Sequence, residues 1–417
     1  MAAAILDTPP GDFMPANQRL IFSFETTTSV TDEYRYVVQV LEDGTEIGKF
    51  YLAPNAQEVA FFDLGEIAGK RVQVDQTPYQ STSVTLFAYD TTPFTRSRGN
   101  VKQYTVRVGE WNGSTETLNQ DSHTFYLVGG REQLSAGLHP DFSDYYPTTS
   151  TRKGWLTDYP VTGSFIEMKA TDEAEGRAAL ITRSTVSDAT RIGFSVTTGS
   201  GTSTTFVDLN TSNGAQLPTA TTPVGGFLTY VPLMPATVNG IVGEDEAGDP
   251  QTVDLTGWIS YSVGAYDGLT IKCRSIRVTR DCKTYKTTPV QIAWANSKGG
   301  WDYAHFEGKL LTTQQTQAKP YRAALGDWNG ASFTAPGFLP ETQYFHKEAD
   351  ETYQLTGYFT QSELEVFKSL NLAKRAFIKL GQWLPVLIEP NSYAVRTDNA
   401  QLALVTFNAK LAQSIRV

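Results

Sequence analysis

The chain has 417 residues, of which 40% are hydrophobic and 19% charged, and a formal net charge of −10. That length exceeds one ordinary core and predicts about two to four domains, while the composition is that of a folded protein and excludes a disordered one. The acidic balance opposes nucleic acid as a partner, because duplex binding requires neutralising phosphates.

No apolar run approaches the ~20 residues that span a bilayer, so no membrane partner is expected. The opening residues MAAAILD lack the basic segment and long apolar run of a secretory signal, which predicts a protein made in the cytoplasm. With 20 Tyr and 22 Phe, the chain favours sheets, where flat rings pack on pleated faces. The expected fold class is mainly β and multidomain.

Residues 1–100 read as an immunoglobulin- or fibronectin-like β-sandwich. Strands are predicted at Arg19 to Phe24, Tyr34 to Val40 and Ile47 to Leu52, with Asp43-Gly44 as the hairpin turn between the last two. Glu58 to Leu64, Val84 to Tyr89 and Val101 to Val108 continue the pattern.

Residues 101–290 read as a further antiparallel β domain with Ser/Thr/Gly loops. Its predicted strands are Arg191 to Thr197, Thr205 to Leu209, Phe227 to Val231 and Trp258 to Val263. Polar stretches at Thr197 to Thr205 and Asn210 to Thr222 read as loops outside the core. Tyr266-Asp267-Gly268 turns the chain into one long strand, Leu269 to Val278. Cys273 and Cys282 stand nine steps apart with no Gly, Pro or Asn between them. At about 3.3 Å per extended residue they are too distant to bridge, so two buried thiols are expected.

Residues 291–417 read as a β-rich α+β domain with one helix. Near its start, Ser297-Lys298-Gly299-Gly300 poses the question of a phosphate-cradling loop. Such a loop must lead into a helix whose N-terminus faces the anion. Here Trp301, Tyr303 and Phe306 follow, which are strand formers, and Val290 to Trp294 alternates as a strand does. The segment is therefore read as a hairpin tip without nucleotide. Thr360-Gln361-Ser362-Glu363 fits a capping box, and Leu364, Phe367 and Leu370 form one apolar stripe behind it. Arg375 to Leu380, Trp383 to Ile388 and Leu402 to Phe407 read as strands, with Pro385 marking an edge or a bulge.

Gly109-Glu110-Trp111-Asn112-Gly113-Ser114 recurs as Gly326-Asp327-Trp328-Asn329-Gly330-Ala331 and reads as two similar hairpin tips. A search for chemistry finds no catalytic, cofactor-binding or metal-ligating constellation. Gly199-Ser200-Gly201 lacks the spacing of a nucleophile elbow, and His123, His139, His305 and His346 lack zinc-ligand spacing. The acidic stretch 244–249 invites calcium but lacks the full ligand alternation and reads as a solvated turn. Trp111, Tyr145, Tyr146, Trp301 and Trp328 are the aromatics singled out for an interface or for facing a glycan.

Three stretches carry a resemblance when taken together. One runs from Cys282-Lys283-Thr284-Tyr285 through Ile292 and Asn296 to Gly299-Gly300-Trp301-Asp302. Another comprises Ala53-Pro54-Asn55, Phe61-Phe62-Asp63-Leu64 and Tyr104 to Glu110. The third is the helix entered at Thr360, the basic strand after it and Leu384-Pro385-Val386. In this order they resemble virion structural, tail-associated proteins of tailed phages infecting Bacteroidetes-type bacteria. The resemblance covers most of the chain apart from residues 130–270, and the family carries a larger apolar residue where Ala295 stands. It implies a non-enzymatic assembly component in the virion, built in the host cytoplasm, with other virion proteins and copies of itself as partners. The alternative is a receptor-binding or carbohydrate-binding or depolymerising fibre protein with a host surface glycan as partner.

Overall fold

The computed structural model describes residues 3–8, 12–27, 30–72, 94–97, 100–130, 142–183, 189–209, 226–281, 287–322, 327–328, 330–334, 342–389, 402–412 and 415–416. The protein is mainly β, with antiparallel and mixed sheets. It divides into two compact units, Met1–Thr284 with Ala293–Tyr303, and Tyr285–Ile292 with Ala304–Val417.

The first unit begins with β1 (Ala3–Asp7), β2 (Phe13–Pro15), β3 (Ile21–Thr26), β4 (Arg35–Glu42), β5 (Thr45–Leu52), β6 (Ala60–Asp63) and the short helix α1 (Gly65–Arg71). Then come β7 (Thr95–Ser97), β8 (Val101–Trp111) and β9 (Glu116–Val128). Asp43 and Gly44 both take positive φ, 48° and 82°, the turn whose twist matches its flanking strands. β1, β3 and β6 make one sheet, and β2-β9-β8-β4-β5 a second, in which β2 and β9 are parallel. Strand alternation aims Phe22, Phe24 and Phe62 from the first and Tyr36, Val38, Tyr104 and Phe125 from the second into one core. There the Phe22 and Phe125 rings lie 5.6 Å apart. The predicted strand at Val84 to Tyr89 lies outside the described residues. α1 is too short to imprint a helical period on the sequence.

The same unit continues with β10 (Val161–Thr162), β11 (Phe165–Ala170), β12 (Arg177–Arg183), β13 (Arg191–Thr198), β14 (Gly201–Asp208), β15 (Gly226–Pro232) and the single turn α2 (Pro235–Val238). β16 (Val242–Glu244), β17 (Pro250–Thr252), β18 (Trp258–Asp267), β19 (Thr270–Ile271) and β20 (Ser275–Arg280) complete it. One sheet runs β10-β11-β20-β18-β13-β14-β16-β17 with β19 beside β18, and β12-β15-β7 forms another.

Three expectations are corrected here. Thr197 to Thr205 is not an open loop but the end of the β13–β14 hairpin, where the Ser195 and Thr204 hydroxyls meet across the strands at 3.0 Å. Leu269 to Val278 is two strands, because the chain leaves the ladder to bury Cys273 and to donate the Arg274 N–H to the Arg152 carbonyl at 2.8 Å. The sheet is mixed, since β11 and β20 run parallel. Cys273 is a buried free thiol, and Cys282 lies outside the described residues. So does the predicted loop Asn210 to Thr222.

β21 (Val290–Ala295) and β22 (Trp301–Phe306) belong to both units, residues 293–303 counting with the first. The second unit goes on with β23 (Leu311–Arg322), β24 (Asp327–Trp328), β25 (Phe333–Thr334), β26 (Thr342–Phe359) and α3 (Gln361–Leu372). β27 (Ala376–Leu380), β28 (Gln382–Ile388), β29 (Ala403–Leu411) and β30 (Ile415–Arg416) follow. The sheet order is β22-β21-β27-β28-β29-β26-β23, with β30 beside β26.

The capping box forms as read: Glu363 Oε2 accepts the Thr360 N–H at 2.7 Å. Leu364, Phe367 and Leu370 are buried. Pro385 marks a local edge, as expected: it pairs in register with Phe377 of β27, without a bulge, on the part of β28 that β29 does not reach. The strand tolerates it because β28 meets β29 only from Val386 onward. The Pro385 carbonyl accepts the Ala412 N–H at 3.0 Å, so the missing donor falls where β29 is ending.

Candidate functional site

The turn between β21 and β22 spends its backbone donors internally. The Asn296 side-chain Oδ1 accepts the Lys298 and Gly300 N–H groups at 3.0 and 2.9 Å. The Gly299 N–H meets the Asn296 carbonyl, and the Ser297 N–H is held by Asp158 Oδ2 at 2.9 Å. An anion cradle needs these amides converging on open space. Here they converge on the protein's own oxygens, as befits a hairpin tip. Unlike most tips it is packed inside: a Cβ on Gly300 would stand 2.1 Å from the Leu156 carbonyl oxygen. Only glycine admits so close a backbone approach.

Beneath the turn lies a carboxylate pair. Asp302 is fully buried; its Oδ1 accepts the Thr157 hydroxyl at 2.5 Å and its Oδ2 the Asp158 N–H at 2.9 Å. Asp158 in turn accepts the Ser297 hydroxyl at 2.6 Å. Burial, and after it the neighbouring Asp158 carboxylate, pushes the Asp302 carboxyl up to about 7. Lys153 donates to the Thr157 carbonyl at 2.6 Å, and burial pulls its ammonium below the usual lysine range. A pair of carboxylates with one raised acid has the form of a general acid–base site. Asp302, however, is wholly enclosed, and each of its oxygens is engaged by protein. Its chemistry here is to staple residues 157–158 to the base of β22. These partners lie 144 and 145 residues apart, so no local signal announces the pair.

Three of the aromatics singled out from the sequence are not on a surface. Tyr145, Tyr146 and Trp301 are buried within the first unit. Tyr146 stacks on Phe13 at 5.0 Å, and Tyr145 meets Phe142 edge-on at 5.1 Å. Rings spent this way present no flat face to a sugar. Trp111 is half-buried at the end of β8, paired with Arg35 and Glu116. Trp328 pairs with Phe333 in the β24–β25 hairpin, its side chain lying outside the described residues. The two Trp-Asn-Gly echoes both sit at hairpins, with Gly113 and Gly330 at φ 93° and 83°. At 244–249, Asp245 Oδ1 accepts the Ala247 and Asp249 N–H groups, so this carboxylate closes its own turn.

The feature most open to a partner carries no sequence signal. β23 pairs with β26 along its whole length, from Leu311 opposite Gln354 to Arg322 opposite Thr342. All twelve of its residues are exposed. Among the described residues it ends the sheet, and β29 backs β26 only over Thr352–Phe359. From Gln314 outward the pair is therefore a two-stranded arm of about 30 Å, flanked among the described residues only by β30 at Glu348 and Ala349. Because neither face of β23 is buried, its sequence LTTQQTQAKPYR shows no alternation of apolar and polar residues.

The sequence matches no family model and no curated protein.

Proposed function

We propose that this chain is a non-enzymatic structural protein of a phage virion. On this reading it belongs to the tail or its host-facing end, is assembled in the host cytoplasm, and acts through contacts with other virion proteins and with copies of itself. The observation that carries the reading is the β23–β26 arm. A two-stranded ribbon in water is marginal on its own, and an uncovered edge strand is a liability that proteins normally shorten, charge or cover. A twelve-residue edge strand exposed on both faces is economical only if something covers it in the working state.

Further support comes from the three stretches that resemble virion proteins. The raised acid of the carboxylate pair, Asp302, is enclosed, and three singled-out aromatics serve cores rather than a glycan-facing surface. We read the paired sheets around Phe22 and Phe125 as an immunoglobulin-like module, and the unit carrying α3 as a β-rich α+β domain. Stable interfaces bury about 1,200–2,000 Å², an area that a long ribbon inserted between neighbours supplies.

Electron microscopy of purified particles with an antibody to this chain tests the reading, with labelling at the tail as the expected result. Recovery of the protein only from the free fraction of the lysate overturns it, as does polysaccharide turnover by the purified chain.

A further inference from the structure

We infer that the outer edge of β23 is a self-association surface, on which two copies of this chain pair antiparallel about a twofold axis and join their sheets. The inference rests on the assembly reading and names the partner for one of its surfaces. The proximal residues of the strand, Leu311 to Ala318, are uncharged and free of Gly and Pro, so every position can extend a ladder. The distal end is guarded, since Pro320 removes a donor, Lys319 adds a charge, and the register shifts between them. Pairing is thus limited to the Thr/Gln stretch.

Charge points to a second copy as the occupant. The chain carries 44 acidic residues against 34 basic ones, so two copies repel over most of their surfaces. β23 contains no Asp or Glu. A twofold centred on Gln314 places Gln314 of each copy opposite Gln314 of the other, Thr313 opposite Gln315, and Thr312 opposite Thr316. Side chains that both donate and accept then face one another, a self-complementary arrangement. Each Lys319 falls beyond the paired stretch. Parallel in-register pairing would instead stack Lys319 on Lys319, which opposes it.

The hairpin supplies a clean test. Within one chain Gln314 lies opposite Glu351 and Gln315 opposite Asp350. The double variant Gln314→Lys/Gln315→Lys therefore adds favourable cross-strand pairs inside the arm, while setting Lys against Lys across the twofold. It also lowers the net negative charge, so a general easing of repulsion would promote association. In sedimentation of the full-length chain, the wild type is expected to dimerise and the double variant to dissociate with a Kd raised roughly tenfold or more. Hydrogen exchange at 311–318 should slow with concentration in the wild type alone. A wild type that stays monomeric at the concentrations at which particles assemble overturns the inference, and so does a dimer that the lysine pair leaves intact. Neither result touches the assembly reading if antibody still labels particles. Absence from particles sinks that reading whatever the sedimentation shows.

Discussion

Removing the Phe367 ring probes how the second unit is held together. The side chain is 1% exposed and sits on the buried stripe of α3 with Leu364 and Leu370. Its ring lies 4.6 Å from that of Phe359, 5.5 Å from Phe407 and 5.8 Å from Phe306. These partners come from β26, β29 and β22, strands tied into one sheet by backbone hydrogen bonds. Such walls cannot fall inward to fill the space, so Phe367→Ala should lie in the upper part of the usual range of about 3–5 kcal/mol for a buried Phe. At about 1.4 kcal/mol per decade, that is roughly two to three and a half powers of ten in the opening equilibrium. Hydrogen exchange read by mass spectrometry on the intact chain measures it directly at the α3 amides. Tyr358→Ala is the control: Tyr358 is the next residue to Phe359 on β26, points to the other face and is 55% exposed. If exchange in α3 rose no more in Phe367→Ala than in Tyr358→Ala, the helix would not be docked on this sheet through its phenylalanines.

Other outcomes follow from the same geometry. Gly300→Ala drives a Cβ into the Leu156 carbonyl and should cost about 1–3 kcal/mol by urea unfolding. Gly199→Ala, with nothing within 4 Å of the new Cβ, should change stability by about 0.5 kcal/mol or less, and equal losses in the two would refute the packed turn. Asp302 has its carboxyl raised in the folded state, so the stability it contributes is full below about pH 4 and is lost as pH rises toward about 7. Unfolding measured across that window should decline less steeply in Asp302→Asn than in the wild type, and parallel curves would count against the buried acid. Burial alone would raise the Glu42 carboxyl, but Arg71, Lys102 and Tyr104, at 2.7, 2.6 and 2.6 Å, outweigh it and hold it at about 2. Its contribution is present above about pH 4.5 and lost as pH falls toward 2, so Glu42→Gln should cost about 1–3 kcal/mol near neutrality, and a loss indistinguishable from zero would refute it. Burial pushes the Cys273 thiol up to about 12, so peptide mapping after maleimide treatment should find it labelled only when denaturant is present.

Local signals determined what the sequence alone decides. Asp43-Gly44 takes positive φ where it joins β4 to β5, and Thr360 with Glu363 caps a helix through atoms three residues apart. The apolar stripe of α3 and the alternation of β8 record which face is buried, so those elements and their inward residues were legible. Ser297 to Gly300 was legible as a turn because strand formers follow its glycines, but not as a turn packed inside the first unit. That burial, the enclosure of Tyr145, Tyr146 and Trp301, and the Asp158–Asp302 contact all depend on segments more than a hundred residues apart being brought together. Residue type cannot distinguish a ring in a core from one on a surface, since both environments accept it. β23 is the opposite case: a strand with no buried face leaves no period in its sequence. Its existence was decided by the ladder it makes with β26, because backbone hydrogen bonds are available to every residue and therefore write nothing into the choice of side chains.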